Sequence, residues 1–156
     1  MNRDIIKHIG LGIVFVVSHV LIFQYLRVLG TIADPVLIYL VWLCTKYNRT
    51  KVLLFAAGLG LLQDSLFDLW GLYMFSKTLL IFMAYNPLSR LSENRLLAWQ
   101  IFILLWGVAF IHNCFFLALG YFIQTYSIGL SPFLFILGSS FYTALVGVLL
   151  YVLKGR

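Results

Sequence analysis

The stretch Phe133–Leu153, FLFILGSSFYTALVGVLLYVL, carries no charged residue, and it decides the fold. At ~1.5 Å per residue a helix of that length spans about 30 Å, the thickness of a bilayer's hydrocarbon core. Ile9–Phe23 and Leu96–Ile111 are apolar blocks of the same kind. Over all 156 residues, 63% are hydrophobic and 10% charged. That leaves too little polar surface to keep a soluble domain of this size in solution. The expectation is a single all-α membrane domain, 1–156.

Turn chemistry cuts the chain into six helices, expected at about 8–29, 34–46, 52–69, 71–86, 97–124 and 130–153. Gly30 and Asp34-Pro35 follow the first, Tyr47-Asn48-Arg49 the second and Trp70-Gly71 the third; Asn86-Pro87 closes the fourth, and Ser127–Pro132 separates the last two. Pro35 and Pro132 suit first helical turns, where a missing N–H costs little. Residues 87–96 form the longest connection and read as a short interfacial helix carrying Leu88 and Leu91. Arg3 and Lys7 ahead of the first block resemble a signal peptide. The block runs too far for a signal core and no small-residue cleavage site follows, so it reads as a retained helix.

The net charge is +6, but the basic residues recur where apolar blocks end, which is a topology signal and not a nucleic-acid surface. Arg3, Lys7, Lys46, Arg49, Lys51, Arg90, Arg95, Lys154 and Arg156 fall on one side, and only Arg27 on the other. The bias puts both termini in the cytoplasm. Asp34, Asp64 and Asp68 lean to the exterior. The second helix is the weak point, because about 13 residues rise only ~20 Å. A re-entrant hairpin in its place would leave Lys46, Arg49 and Lys51 near the midplane at roughly 3 kcal/mol each. A short crossing helix with snorkelling basic side chains is cheaper.

No nucleotide loop, nucleophile elbow, zinc-protease motif or cysteine pair is present, and Cys44 and Cys114 both lie inside apolar blocks; an enzyme, a metal site or a cofactor is not expected. His19 in the first helix and His112-Asn113 in the fifth are polar groups at mid-membrane depth. They read as interhelical hydrogen bonds that fix packing, or as a polar pocket or proton path. Asp64 and Lys77 stand at similar distances before and after the Trp70-Gly71 turn. A hairpin would bring them to one depth as a buried pair; otherwise Asp64 caps a helix end and Lys77 snorkels. Ala56 and Gly60, in a run that includes Gly58, and the ladder Ser139, Thr143, Gly147 are small residues at helical spacing, suited to close helix approach. Trp70, Tyr73, Trp99, Tyr121, Tyr126 and Tyr151 sit near helix ends, where aromatic rings favour the interface.

The stretch Asp34–Tyr85, DPVLIYLVWLCTKYNRTKVLLFAAGLGLLQDSLFDLWGLYMFSKTLLIFMAY, resembles the MreD family of bacterial rod shape-determining membrane proteins. The shared features are a short apolar helix opened by Asp-Pro, a basic turn, a Gly-rich helix reaching Gly60-Leu61-Leu62-Gln63-Asp64, and Trp70-Gly71-Leu72 after the turn. The bulky Leu66-Phe67-Asp68-Leu69-Trp70 departs from the small-residue turn usual there. The resemblance implies a non-enzymatic scaffold of the cell-wall elongation machinery in the bacterial inner membrane. Its expected partners are an MreC-like single-span protein, other elongation proteins and the lipid bilayer. It also implies a fold similar to the substrate-binding subunits of energy-coupling-factor vitamin transporters. A small-molecule transport subunit is the competing expectation, weakened by the short, uncharged Thr125–Ser131 connection.

Overall fold

This computed structural model describes residues 3–26, 30–90, 97–123 and 132–154. Among them every regular element is helical: α1 Arg3–Ser18, α2 Pro35–Cys44, α3 Arg49–Phe67, α4 Leu72–Ser89, α5 Ala98–Phe122 and α6 Pro132–Lys154. α1 continues into a π-helical turn, His19–Phe23. Four stretches are long and apolar enough to cross a membrane: Arg3–Phe23, Arg49–Phe67, Ala98–Phe122 and Pro132–Leu153. Large apolar side chains such as Val14, Leu21, Leu54, Phe82 and Leu149 cover the outside of the bundle. Such a surface would aggregate in water and is the normal outer face in hydrocarbon. The chain is a helical membrane protein.

α2 is short because it is the core. Eight of its ten residues are buried, and it packs against α1, α3, α4 and α6. An apolar helix wrapped by neighbours on all sides need not match the bilayer, since protein rather than lipid meets its ends. Its sequence has no amphipathic stripe for the same reason: Pro35, Val36 and Val41 point in different directions and are all buried. Asp34 caps the start of α2, its Oδ1 accepting from the N–H groups of Val36 at 3.0 Å and Leu37 at 3.1 Å. Pro35 occupies the first turn, as its fixed φ favours.

The α3–α4 hairpin turns on two left-handed residues. Asp68, at φ 55°, ends α3, and Gly71, at φ 81°, starts α4. Between them Leu69 N–H turns back to the Asp64 carbonyl at 2.9 Å. The bulky turn is thus built by an aspartate doing what glycine usually does. Gly60 permits the hairpin's tight packing, because a Cβ there would lie 2.5 Å from Met74 Cα.

Expected boundaries shift at α1 and α4. α1 begins at Arg3 rather than about 8, and its helical run ends at Phe23 rather than about 29. α4 does not stop at Asn86 but runs through Pro87 to Ser89. Pro87 removes only the N–H that would reach the Met83 carbonyl, a small loss in a last turn. Leu88 is therefore part of α4 and buried, not an interfacial anchor; Leu91, like Arg27, Arg95, Tyr126 and Thr125–Ser131, lies outside the described residues.

Candidate functional site

Around the N-terminal end of α2, polar groups from every other part of the bundle converge. Lys77, fully buried on α4, places Nζ 2.5 Å from Asp34 Oδ2 and 4.4 Å from the centre of the Tyr73 ring. The Asp34 N–H donates to Thr143 Oγ1 at 3.1 Å, and Ser139 Oγ donates to the Ile32 carbonyl at 2.7 Å, so α6 holds the 31–34 segment by two hydrogen bonds. His19, in the π-helical turn, has Nδ1 4.0 Å from Asp34 Oδ1 and accepts from Gln63 Nε2 at 2.6 Å. A π-helical turn is rare and frequently falls at functional sites, and His19 opens this one.

The far wall belongs to α5. His112 Nε2 lies 3.3 Å from Ser76 Oγ, which also donates to the Tyr73 carbonyl at 3.3 Å. With the hydroxyl proton directed to that carbonyl, Nε2 carries the imidazole proton and Nδ1 is a bare acceptor. Asn113 Nδ2 donates to Ser140 Oγ at 3.0 Å, which donates onward to the Ile136 carbonyl at 2.6 Å. Among the described residues, His112 Nδ1 and Gln63 Oε1 are buried without a hydrogen-bond partner. A cavity of about 60 Å³ sits between these groups, lined by His19, Asp34, Tyr73, His112, Asn113, Ser139 and the apolar Ile32, Phe116 and Phe135.

The sequence brings several of these residues forward, but pairs them differently. Of the two readings of Asp64 and Lys77, the pair does not form and the capping of a helix end by Asp64 does. Both Asp64 carboxylate oxygens are taken by backbone, from Tyr73 N–H at 2.8 Å and Met74 N–H at 2.9 Å, so Asp64 caps α4. Equal distance from the turn sets equal depth but not direction, and at Asp64 the open N-terminus of α4 is nearer than any ammonium. Lys77 neither snorkels nor meets Asp64, because α4 turns it inward onto Asp34. Ser139 and Thr143 are hydrogen-bond partners within the chain. Gly147 approaches Leu105 of α5 and Ile38 of α2, while Gly58 faces outward with nothing near it.

Asp34, Gln63, Ser76 and Ser140 are the members sequence reasoning passed over. A signal for Asp34 was present: a helix too short to span and apolar on all sides must be buried, so its cap is buried too. No cluster of three or more His, Cys, Asp or Glu able to hold a metal exists among the described residues. No family model, no curated protein and no solved structure matches this chain.

Proposed function

We propose that this chain is a non-enzymatic scaffold of a membrane assembly, acting through its lateral and loop surfaces. In this reading it crosses the membrane six times with both ends cytoplasmic. The assembly is the rod-shape, cell-wall elongation machinery of a bacterial inner membrane, with an MreC-like single-span protein as partner. The observation that carries the scaffold reading is the size and use of the polar interior. A cavity of about 60 Å³ is several-fold below the ~300 Å³ at which drug- or vitamin-sized ligands begin to fit. Its charged lining residue, Asp34, is already committed to Lys77 and to the start of α2. Among the described residues, the exposed apolar side chains of the bundle's outer surface are what a partner would meet. The assignment to the elongation machinery rests on the sequence resemblance over Asp34–Tyr85 alone.

Depletion in the source organism tests it. The expected outcome is rounded cells with disturbed side-wall growth, and recovery of a single-span coiled-coil protein with the tagged chain from detergent extracts. Normal cell shape with lost uptake of one small molecule would replace this reading with the transport subunit.

A further inference from the structure

We propose that the turn between α2 and α3 is a binding site for an anionic phospholipid, its phosphate held by Lys46 and Lys51 and one acyl chain lying along α3. This goes beyond the scaffold reading and does not depend on it.

The turn is recessed. Tyr39 Oη donates to the His8 carbonyl at 2.7 Å and Tyr47 Oη lies 3.1 Å from His8 Nδ1, which puts the turn level with His8 on α1. Tyr85 Oη donates to the Tyr47 carbonyl at 2.9 Å and Arg49 Nη2 to the Phe82 carbonyl at 2.7 Å, which puts it level with that part of α4. α1 continues past His8 to Arg3 and α4 past Tyr85 to Ser89. Both therefore project roughly 6–8 Å beyond the turn. Lys46 and Lys51, over two rings that both pack on His8, lie in from the ends of their neighbours, where a phosphate drawn toward them is better than a bare ammonium in the hydrocarbon boundary.

Each cation is already laid over an aromatic ring. Lys46 Nζ is 5.7 Å from the Trp42 ring centre, Lys51 Nζ 5.7 Å from that of Tyr47, and Arg49 Cζ 4.4 Å from that of Phe82. The rings steer the side chains without neutralising them. Asp4 is the one acid at this end among the described residues, so the field is positive. Asn48 makes no side-chain cap to α3, and the free N–H groups of that first turn add to the same field.

Lipid is favoured over an acidic protein segment by what continues from the cations. Lys51, Leu54, Gly58, Leu61 and Ser65 are all exposed and follow one face of α3 at helical spacing. Arg49 points the other way, onto Phe82 of α4. Gly58 has no atom within 4 Å of where a Cβ would sit, which makes a notch in that stripe. A positive head and an apolar, notched track parallel to the helix suit a phosphate joined to an acyl chain. An acidic peptide would have no use for the track.

Native mass spectrometry of the full chain in mild detergent, titrated with phosphatidylglycerol or phosphatidylcholine, tests the site. Each basic residue near an anionic surface raises affinity about fivefold, so replacing two should cost roughly thirtyfold. The expected result is preferential retention of phosphatidylglycerol, lost in Lys46→Gln/Lys51→Gln. Gly58→Phe, which leaves every charge in place and alters only an exposed position, should weaken retention several-fold. Equal retention of the two lipids would overturn the proposal. So would a Gly58→Phe protein indistinguishable from the parent, or a preference for an acidic peptide with none for the lipid. If the double variant does not fold, Gly58→Phe and the lipid comparison decide alone.

Discussion

Lys77 and Asp34, 43 residues apart in the chain, meet at 2.5 Å inside the bundle and join α4 to the start of α2. Asp34 meanwhile accepts two N–H groups of α2, and its own N–H donates to Thr143 of α6. One aspartate therefore ties three helices. Removing Lys77 alone, as Lys77→Met, leaves a buried carboxylate and should destabilise by roughly 3–5 kcal/mol. Asp34→Asn keeps a capping oxygen but strands the ammonium, at a similar cost. The double variant should recover much of the loss, with a coupling of roughly 2 kcal/mol. Thermal unfolding in detergent measures it, and losses that simply add would show that the pair contributes no coupling.

Gly58 and Gly60 should respond oppositely to the same change. At Gly60 a Cβ would meet the Met74 backbone at 2.5 Å, and backbone cannot rotate away. Gly60→Ala should therefore spread the α3–α4 hairpin and cost about 2 kcal/mol or more. At Gly58 nothing lies within 4 Å, so Gly58→Ala should add up to ~1 kcal/mol through helix propensity. A shared direction of change in unfolding temperature would contradict this packing.

Asp68 adopts φ 55° without being glycine. Asp68→Gly should remove that backbone strain and stabilise by roughly 1 kcal/mol. Asp64→Leu, at the other side of the same turn, should cost about 1–2 kcal/mol by stripping the cap from Tyr73 and Met74. Lys77→Met should not change the Asp64→Leu effect as it changes that of Asp34→Asn, since Asp64 binds backbone. A strong coupling between Asp64 and Lys77 in unfolding measurements would restore the pairing read from their spacing.

Helix number and most ends were legible because they depend on local signals: apolar run length, Asp34-Pro35, Trp70-Gly71. Pro87 misled because a proline in a last turn costs too little to stop a helix. The partner of Lys77 was hidden for a different reason. Depth along a hairpin can be counted in sequence, but the direction in which a helix faces depends on its neighbours. No spacing within α4 reveals that α2 lies on Lys77's side. Gln63 and Ser76 were hidden likewise, each inconspicuous until His19 and His112 are set beside it.

Topology gives the sharpest remaining test, because one end of the α3 helix carries a basic cluster and the other has none. The Lys46–Lys51 turn is cationic, and Arg49 and Tyr47 tie it to Phe82 and Tyr85 of α4. The other end carries Asp68 and Trp70, the latter 89% exposed. Basic residues are retained on the cytoplasmic side, whereas an exposed tryptophan suits either interface. With Cys44 and Cys114 replaced by alanine, a cysteine at Asn48 should resist a membrane-impermeant thiol reagent in whole cells and react after permeabilisation. A cysteine at Trp70 should react in whole cells. The pair controls for simple burial, since Asn48 and Trp70 are both exposed at opposite ends of one helix. Labelling of Asn48→Cys but not Trp70→Cys in whole cells would invert the orientation, and labelling of both would mean that α3 does not cross.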